Sequence, residues 1–252
     1  IGRSSRSNSA TYIKAYDVIR KIFADEATHI DYTIKSSDFS FNVDGGRCEE
    51  CLGDGFKKVE MQFMADIFLE CDSCKGKRFK KKILDIKHND KNIFEVLNLT
   101  IEESLSFFNN NNSVIKKLKP LNDVGLGYLK LGQSSSTLSG GEAQRLKLAS
   151  YLVDENKKSL QKTLFIFDEP TSGLHYSDIS NFMKSIQKLI HIGNSVIIIE
   201  HNTDLIKQAD WLIDLGPEGG EGGGRICFSG YPKDIITKKG NKTGKYLKKM
   251  FV

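Results

Sequence analysis

Nowhere in these 252 residues does an apolar run approach the roughly 18 residues of a membrane span. No signal peptide opens the chain either, and a soluble cytoplasmic protein is expected. There is no internal repeat. An initiator Met is absent, the first residue being Ile1, which leads us to expect a fragment or a processed product. A strong excess of one charge sign is also lacking: 37 Lys and Arg against 32 Asp and Glu leave a formal charge of +5. That balance permits binding to a polyanion without requiring it. What the chain does have is length, enough to bury a sizeable core as one large domain or two small ones.

Cysteine is scarce but patterned. Four of the five cysteines form "CEEC" at 48–51 and "CDSC" at 71–74, with 19 residues between Cys51 and Cys71. Each pair spans a tight turn, so both of its sulfurs can face one ion, and two such turns complete a tetrahedron of thiolates. The rival readings are two disulfides, which fit poorly with a cytoplasmic chain, and a redox pair, which does not need two matched Cys-x-x-Cys motifs. We therefore expect a structural Zn²⁺ site at Cys48, Cys51, Cys71 and Cys74, with no open position for catalysis. Between the pairs, Val59, Met61, Phe63, Ile67 and Leu69 alternate as in strands. So short a hairpin cannot build a core, and metal binding supplies its stability. Cys227 is expected to be a buried strand residue. The module is surrounded by Arg47, Lys57, Lys58, Lys75, Lys77, Arg78, Lys80, Lys81 and Lys82, interleaved with Phe56 and Phe79. These suit a nucleic-acid backbone and a solvated surface equally well. The run Asn109-Asn110-Asn111-Asn112 reads as a solvated loop between helices, and the Lys-rich tail as a solvated face.

Residues 137–150 read "TLSGGEAQRLKLAS". The stretch Leu138-Ser139-Gly140-Gly141-Glu142-Ala143-Gln144-Arg145 resembles the signature motif of ATP-binding-cassette (ABC) ATPases. Ser139, Gly140 and Gly141 offer a hydroxyl and unobstructed N–H groups at a helix start, which suits an anionic phosphate. Downstream, "TLFIFDEPTSGLH" begins with the apolar run 164–167, predicted to be a strand buried on both faces of a parallel sheet. It ends in Asp168-Glu169, where ligands of open α/β sheets sit. Asp168 is placed to hold Mg²⁺ and Glu169 to polarise the attacking water. A helix over about 177–192 follows, with Ile179, Phe182, Met183, Ile186, Leu189 and Ile190 on one face. A second buried strand, "SVIIIEHN", carries His201 to the same sheet edge. His175 is expected in a loop near the nucleotide sites, while His29, His88 and His191 receive no role. The five glycines within 219–224 read as a tight turn flanked by two short strands, since no helix opens after them.

A phosphate loop is what these motifs lack. The nearest imitation, "GNKTGKY" at 240–246, has the wrong spacing and a Tyr where the Mg²⁺ ligand should stand. A signature, an acidic strand end and a histidine without that loop point to part of a cassette.

Together with the cysteine module, these stretches resemble the UvrA family, the DNA-damage-recognition ATPases of bacterial nucleotide excision repair. "IGRSSRSNSATYIKAYDVIRKIFA", "FSFNVDGGRCEECLGDGFKKVEMQFMADIFLECDSCKGKRF", "LGQSSSTLSGGEAQRLKLAS", "FDEPTSGLH" and "ADWLIDLGPEGGEGGG" all carry the likeness. Ser9 stands where the family pattern leads us to expect Pro. The resemblance implies an α/β fold: a partial ABC-type P-loop ATPase lobe, a helical signature subdomain and an inserted zinc-binding β-hairpin. It implies a lead-in segment at 1–46, the four-cysteine module at 47–82, the signature subdomain at 83–152 and the ATPase core at 153–252. It further implies that Ser139, Gly140, Gly141 and Glu142 close over ATP held by another cassette, while Asp168, Glu169 and the switch histidine His201 serve ATP held by an absent loop. The implied partners are damaged double-stranded DNA, a second UvrA copy and UvrB, with ATP, Mg²⁺ and zinc as cofactors and no membrane. Arg3, Arg6, Lys57 and Lys58 are expected to face the DNA. The rival classes are a DNA-binding zinc module with a vestigial cassette, against which intact Glu169 and His201 argue, and a non-repair ABC ATPase, which lacks the cysteine module.

Overall fold

The computed structural model describes residues 6–61, 66–153 and 162–250, and the chain divides into two compact units, Ile1–Gln161 and Lys162–Val252. Among the described residues no helix is long and apolar enough to cross a membrane.

The first unit is mostly helical. A single turn, α1 (Ser9–Tyr12), leads into α2 (Ala15–Ala27), whose Tyr16, Ile19, Phe23 and Ala27 recur at helical spacing and are buried. Tyr16 stacks on Phe41 at 5.1 Å, and its hydroxyl donates to the Phe39 carbonyl at 2.6 Å. Burial pushes the Tyr16 phenol far above its usual pKa, so it stays a neutral donor. The cysteine module follows, with β1 (Phe56–Val59) antiparallel to β2 (Ile67–Glu70). Val59, Ile67, Phe68 and Leu69 are all exposed, so the hairpin has strand geometry but no buried face; Phe63 lies outside the described residues.

Next come the turn α3 (Lys81–Leu84), the two-residue ladder of β3 (Lys87–His88) with β4 (Lys91–Asn92), and the helices α4 (Ile93–Asn98), α5 (Ile101–Phe107), α6 (Asn112–Asp123) and α7 (Gly140–Val153). Side-chain caps begin these helices. Asn92 with Glu95 and Thr100 with Glu103 form reciprocal capping boxes, each satisfying two backbone donors. The asparagine run does connect two helices, but Asn111 caps α6 by accepting from Val114 N–H at 3.1 Å, and Asn112 is its first residue.

The second unit is built on β5 (Leu164–Asp168), α8 (Tyr176–His191) and β6 (Ser195–Ile199), with β5 and β6 paired in parallel from Leu164↔Ser195 to Asp168↔Ile199. Ile179, Phe182, Met183, Ile186 and Leu189 of α8 are buried, whereas Ile190, expected on the same face, is exposed at its margin. Phe167 meets Phe182 edge-on at 6.2 Å. The expectation that β5 and β6 are buried on both faces is overturned. Ile166 is 62% and Ile197 50% exposed, because strand alternation turns them away from α8 and the described residues of this unit supply no second layer.

After the turn α9 (Thr203–Ile206), β7 (Leu212–Gly216) and β8 (Arg225–Gly230) form an antiparallel pair, and α10 (Lys242–Leu247) ends the regular structure. Asn241 and Thr243 at the start of α10 donate to the Asp214 carboxylate at 2.6 and 2.7 Å. The glycine-rich segment is the tight turn expected. At Gly223 a Cβ would lie 2.1 Å from the Glu218 carbonyl oxygen, so no side chain fits there. Cys227 is a β8 residue but only half-buried, because this two-stranded ribbon is too thin to enclose it.

Candidate functional site

Cys48, Cys51, Cys71 and Cys74 are buried, and all four sulfurs lie within 4.8 Å of one another. None forms a disulfide. The Sγ–Sγ separations are 3.9 Å for Cys48–Cys71 and 3.7 Å for Cys51–Cys74. Four bonds of about 2.3 Å in a tetrahedron require S···S edges of about 3.8 Å, so the donor set fits one tetrahedral thiophilic ion. Tight backbone turns bring the sulfurs together. Gly53 has φ +87°, and a Cβ there would meet the Phe41 carbonyl oxygen at 2.3 Å. Gly55 N–H donates to Cys51 Sγ at 3.2 Å.

Burial opposes ionisation of Cys48, yet N–H donors from Cys51 and Glu50 outweigh it and bring the thiol down to about 7. Burial pushes Cys74 up to about 12 and also raises Cys51. A bound cation resolves this conflict by favouring all four thiolates.

In the same unit, α7 opens on a capping box that its sequence spells as Ser-x-x-Glu. Ser139 N–H donates to Glu142 Oε2 at 2.7 Å, and Glu142 N–H donates to Ser139 Oγ at 3.3 Å. Tyr128 also donates its hydroxyl to Glu142. Burial works against the charge on Glu142, but these hydrogen bonds and nearby Arg145 hold its carboxyl below the usual range. Burial, with the Glu142 contact, pushes Tyr128 up to about 12. Arg145 is fully buried. Ser139 and Gly140 are exposed and Gly141 is buried, and around Gly140 nothing lies within 4 Å of where a Cβ would stand. The helix start is thus open to a ligand on one side and anchored on the other by Tyr128 and Glu142, whose place in this arrangement sequence reasoning missed for Tyr128.

In the second unit, the parallel pairing sets Asp168 opposite Ile199. The carboxyl ends of β5 and β6 therefore lie side by side, as ligand-bearing edges of α/β sheets do. Glu169 adopts φ +45°, unusual for a residue with a Cβ, and its N–H donates to the Ile199 carbonyl at 2.9 Å. His201 Nδ1 approaches Glu169 Oε1 at 3.7 Å, with side-chain exposures of 80% and 57%. Asp168, Glu169 and His201 thus share one accessible edge. Glu200, which sequence reasoning overlooked, accepts hydrogen bonds from both flanking turns. A glutamate directly between a strand end and a histidine was the only signal for it. His175 occupies the position just before α8, in extended conformation and without a side-chain capping hydrogen bond.

The expected DNA-facing residues carry local acidic partners. Arg6 donates to the Leu52 carbonyl at 3.3 Å and lies 3.7 Å from Asp54. Lys57 pairs with Glu50, and Lys58 with Glu60 and Asp66 at 3.0 and 2.8 Å. Arg3 lies outside the described residues.

These features define a class: an ABC-type α/β ATPase segment with a helical signature subdomain and an inserted four-cysteine hairpin. No protein-family model matches the chain. UvrABC system protein A of Clostridium acetobutylicum is 52% identical over 250 residues, covering 99% of this chain and 26% of that protein. The protein of the same name from Neisseria meningitidis is 52% identical over 248 residues, covering 98% and 26%. The crystal structure of UvrA2 from Deinococcus radiodurans superposes with a TM-score of 0.84 at 39% identity, covering 99% of this chain and 30% of that one. The chain is therefore a homologue of the UvrA proteins along nearly its whole length, and it spans about a quarter (26%) of the length of the curated relatives it matches.

Proposed function

We propose that this chain is part of the ATP-driven damage-recognition protein of bacterial nucleotide excision repair, acting in the cytoplasm, and that it supplies half of each of two ATP sites. Ser139, Gly140, Gly141 and Glu142 serve ATP held by a second cassette. Asp168 holds Mg²⁺, Glu169 polarises the attacking water and His201 contacts the γ-phosphate of ATP whose phosphates are cradled by a loop this sequence lacks. Zinc is the ion of the cysteine cluster, where it holds the hairpin folded. The partners of the whole protein are damaged double-stranded DNA, a second copy of itself and UvrB.

The observation that carries this reading is the 52% identity to UvrABC system protein A over 250 residues. The gathering of Asp168, Glu169 and His201 at one sheet edge supports its ATPase part. Phosphoryl transfer depends on positioning, and without a phosphate loop nothing here orients the β- and γ-phosphates. The 252-residue chain alone should accordingly hydrolyse no ATP above background. In the longer protein, Glu169→Gln should slow turnover at its own site by at least about 100-fold while ATP remains bound. Ser139→Ala should instead impair the other site. Steady-state hydrolysis and nucleotide-binding measurements on both variants separate the two effects. Mg²⁺-dependent hydrolysis by this chain alone, abolished by Glu169→Gln, overturns the split-site reading.

A further inference from the structure

Glu200 stands immediately after β6, between the residues just assigned to ATP, and has no role in that assignment. Its Oε1 accepts from Thr171 N–H at 2.9 Å and from the Thr171 hydroxyl. Its Oε2 accepts from the backbone N–H groups of His201 at 3.0 Å and Asn202 at 3.1 Å. One carboxylate thus ties the turn that follows Glu169 to the turn that carries His201. Burial works against its charge, but the donors from Thr171, Asn202 and His201 outweigh it and hold the carboxyl below the usual glutamate range.

The chemistry of the clamp is specific. All the partners donate, so both oxygens must be acceptors. A glutamine at this position would turn an NH₂ group toward either Thr171 or the His201–Asn202 amides, and an aspartate is one methylene too short to keep both ends. The backbone bond from Glu169 N–H to the Ile199 carbonyl at 2.9 Å aligns the two strand ends but does not fix the side chains beyond them. The Glu169 and His201 side chains are mostly exposed and approach only to 3.7 Å, and exposed pairs of this kind are weakly self-ordering.

We propose that Glu200 is the positioning residue of this edge. By fastening the Thr171 turn to the His201 turn, it keeps Glu169 and His201 side by side, without itself touching nucleotide. The functional consequence rests on the reading of Glu169 and His201 as ATPase residues, but the clamp can be tested without ATP.

In the 252-residue chain, Glu200→Gln and Glu200→Ala should each speed amide exchange at Thr171, His201 and Asn202 by about tenfold or more. They should also remove the nuclear Overhauser contact between the Glu169 and His201 side chains, while amides within β5 and β6 keep their protection. Thr171→Val, which deletes the hydroxyl and leaves the amide, should give a smaller increase centred on residue 171. In the longer ATPase, both Glu200 variants should lower kcat about tenfold or more and leave KM for MgATP within about twofold, a split that general loss of fold does not produce.

Unchanged exchange and an intact 169–201 contact in Glu200→Ala overturn the proposal. So does undiminished kcat in a variant whose amides have loosened, and so does joint loss of kcat, nucleotide binding and β5–β6 protection, which makes Glu200 a structural residue only. If Glu169→Gln leaves turnover intact, the ATPase reading falls, and the exchange and contact measurements decide the clamp by themselves.

Discussion

The cysteine cluster of the first unit and the Asp168–Glu169–His201 edge of the second are both sets of groups able to bind a ligand, yet they are built in opposite ways. The cluster is closed. Its four donors come from two short turns, lie buried, and have the mutual spacing of one tetrahedral ion. The edge is open. Its acidic and imidazole groups face outward at a strand end, and apolar residues such as Ile166 and Ile197 on one sheet face are exposed as well. A metal site can be completed by local chain geometry alone, because four ligands in two turns satisfy the ion. A nucleotide with three phosphates and Mg²⁺ needs donors from several elements, and under the function we propose those gathered at the edge would hold only one side of it.

The contrast can be broken most forcefully at the metal. Chelation, or Cys71→Ser, should remove about one zinc per chain and unfold the hairpin, since metal binding in small zinc modules is worth on the order of 10 kcal/mol. Elemental analysis and amide exchange at Gly55 and Cys71 report the loss. Exchange in β5, β6 and α8 should stay as in the native chain, and a collapse there on metal removal contradicts the independence of the two sites.

The reciprocal change is Phe182→Ala, which empties the fully buried position under Phe167. It should cost the second unit about 3–5 kcal/mol, read by denaturant unfolding, while the cysteine cluster retains its metal. Co-loss of zinc in that variant removes the distinction between a locally completed site and one that depends on layer packing.

A smaller effect is expected at the basic surface. Because Lys57, Lys58 and Arg6 already hold Glu50, Asp66, Glu60 and Asp54, they must exchange partners to contact phosphate. In the longer protein, Ala at Arg3, Arg6, Lys57 and Lys58 together should flatten the salt dependence of DNA affinity, by less than the about 0.9 per contact expected of four unpaired cations. DNA titrations at several salt concentrations measure the slope, and an unchanged slope makes these residues a solvated face.

The amino-acid sequence by itself determined what depends on near neighbours. Two Cys-x-x-Cys pairs mark a metal site because each pair is one turn, and the strand–helix–strand unit around Asp168 follows from an apolar run, a helical period and a second apolar run. The Ser139–Glu142 capping box is likewise local, both partners lying within one helical turn as Ser-x-x-Glu, but sequence reasoning missed it by reading the stretch only as a signature motif. Only the tertiary structure decided which faces are covered and which distant groups meet. An apolar run reads alike whether one or two layers cover it, so the exposure of Ile166 and Ile197 had no sequence signal. The union of Glu200 with Thr171 spans 29 residues, and that of Tyr128 with Glu142 spans 14. Contacts at that separation depend on how the chain returns to itself, which no local period or propensity encodes.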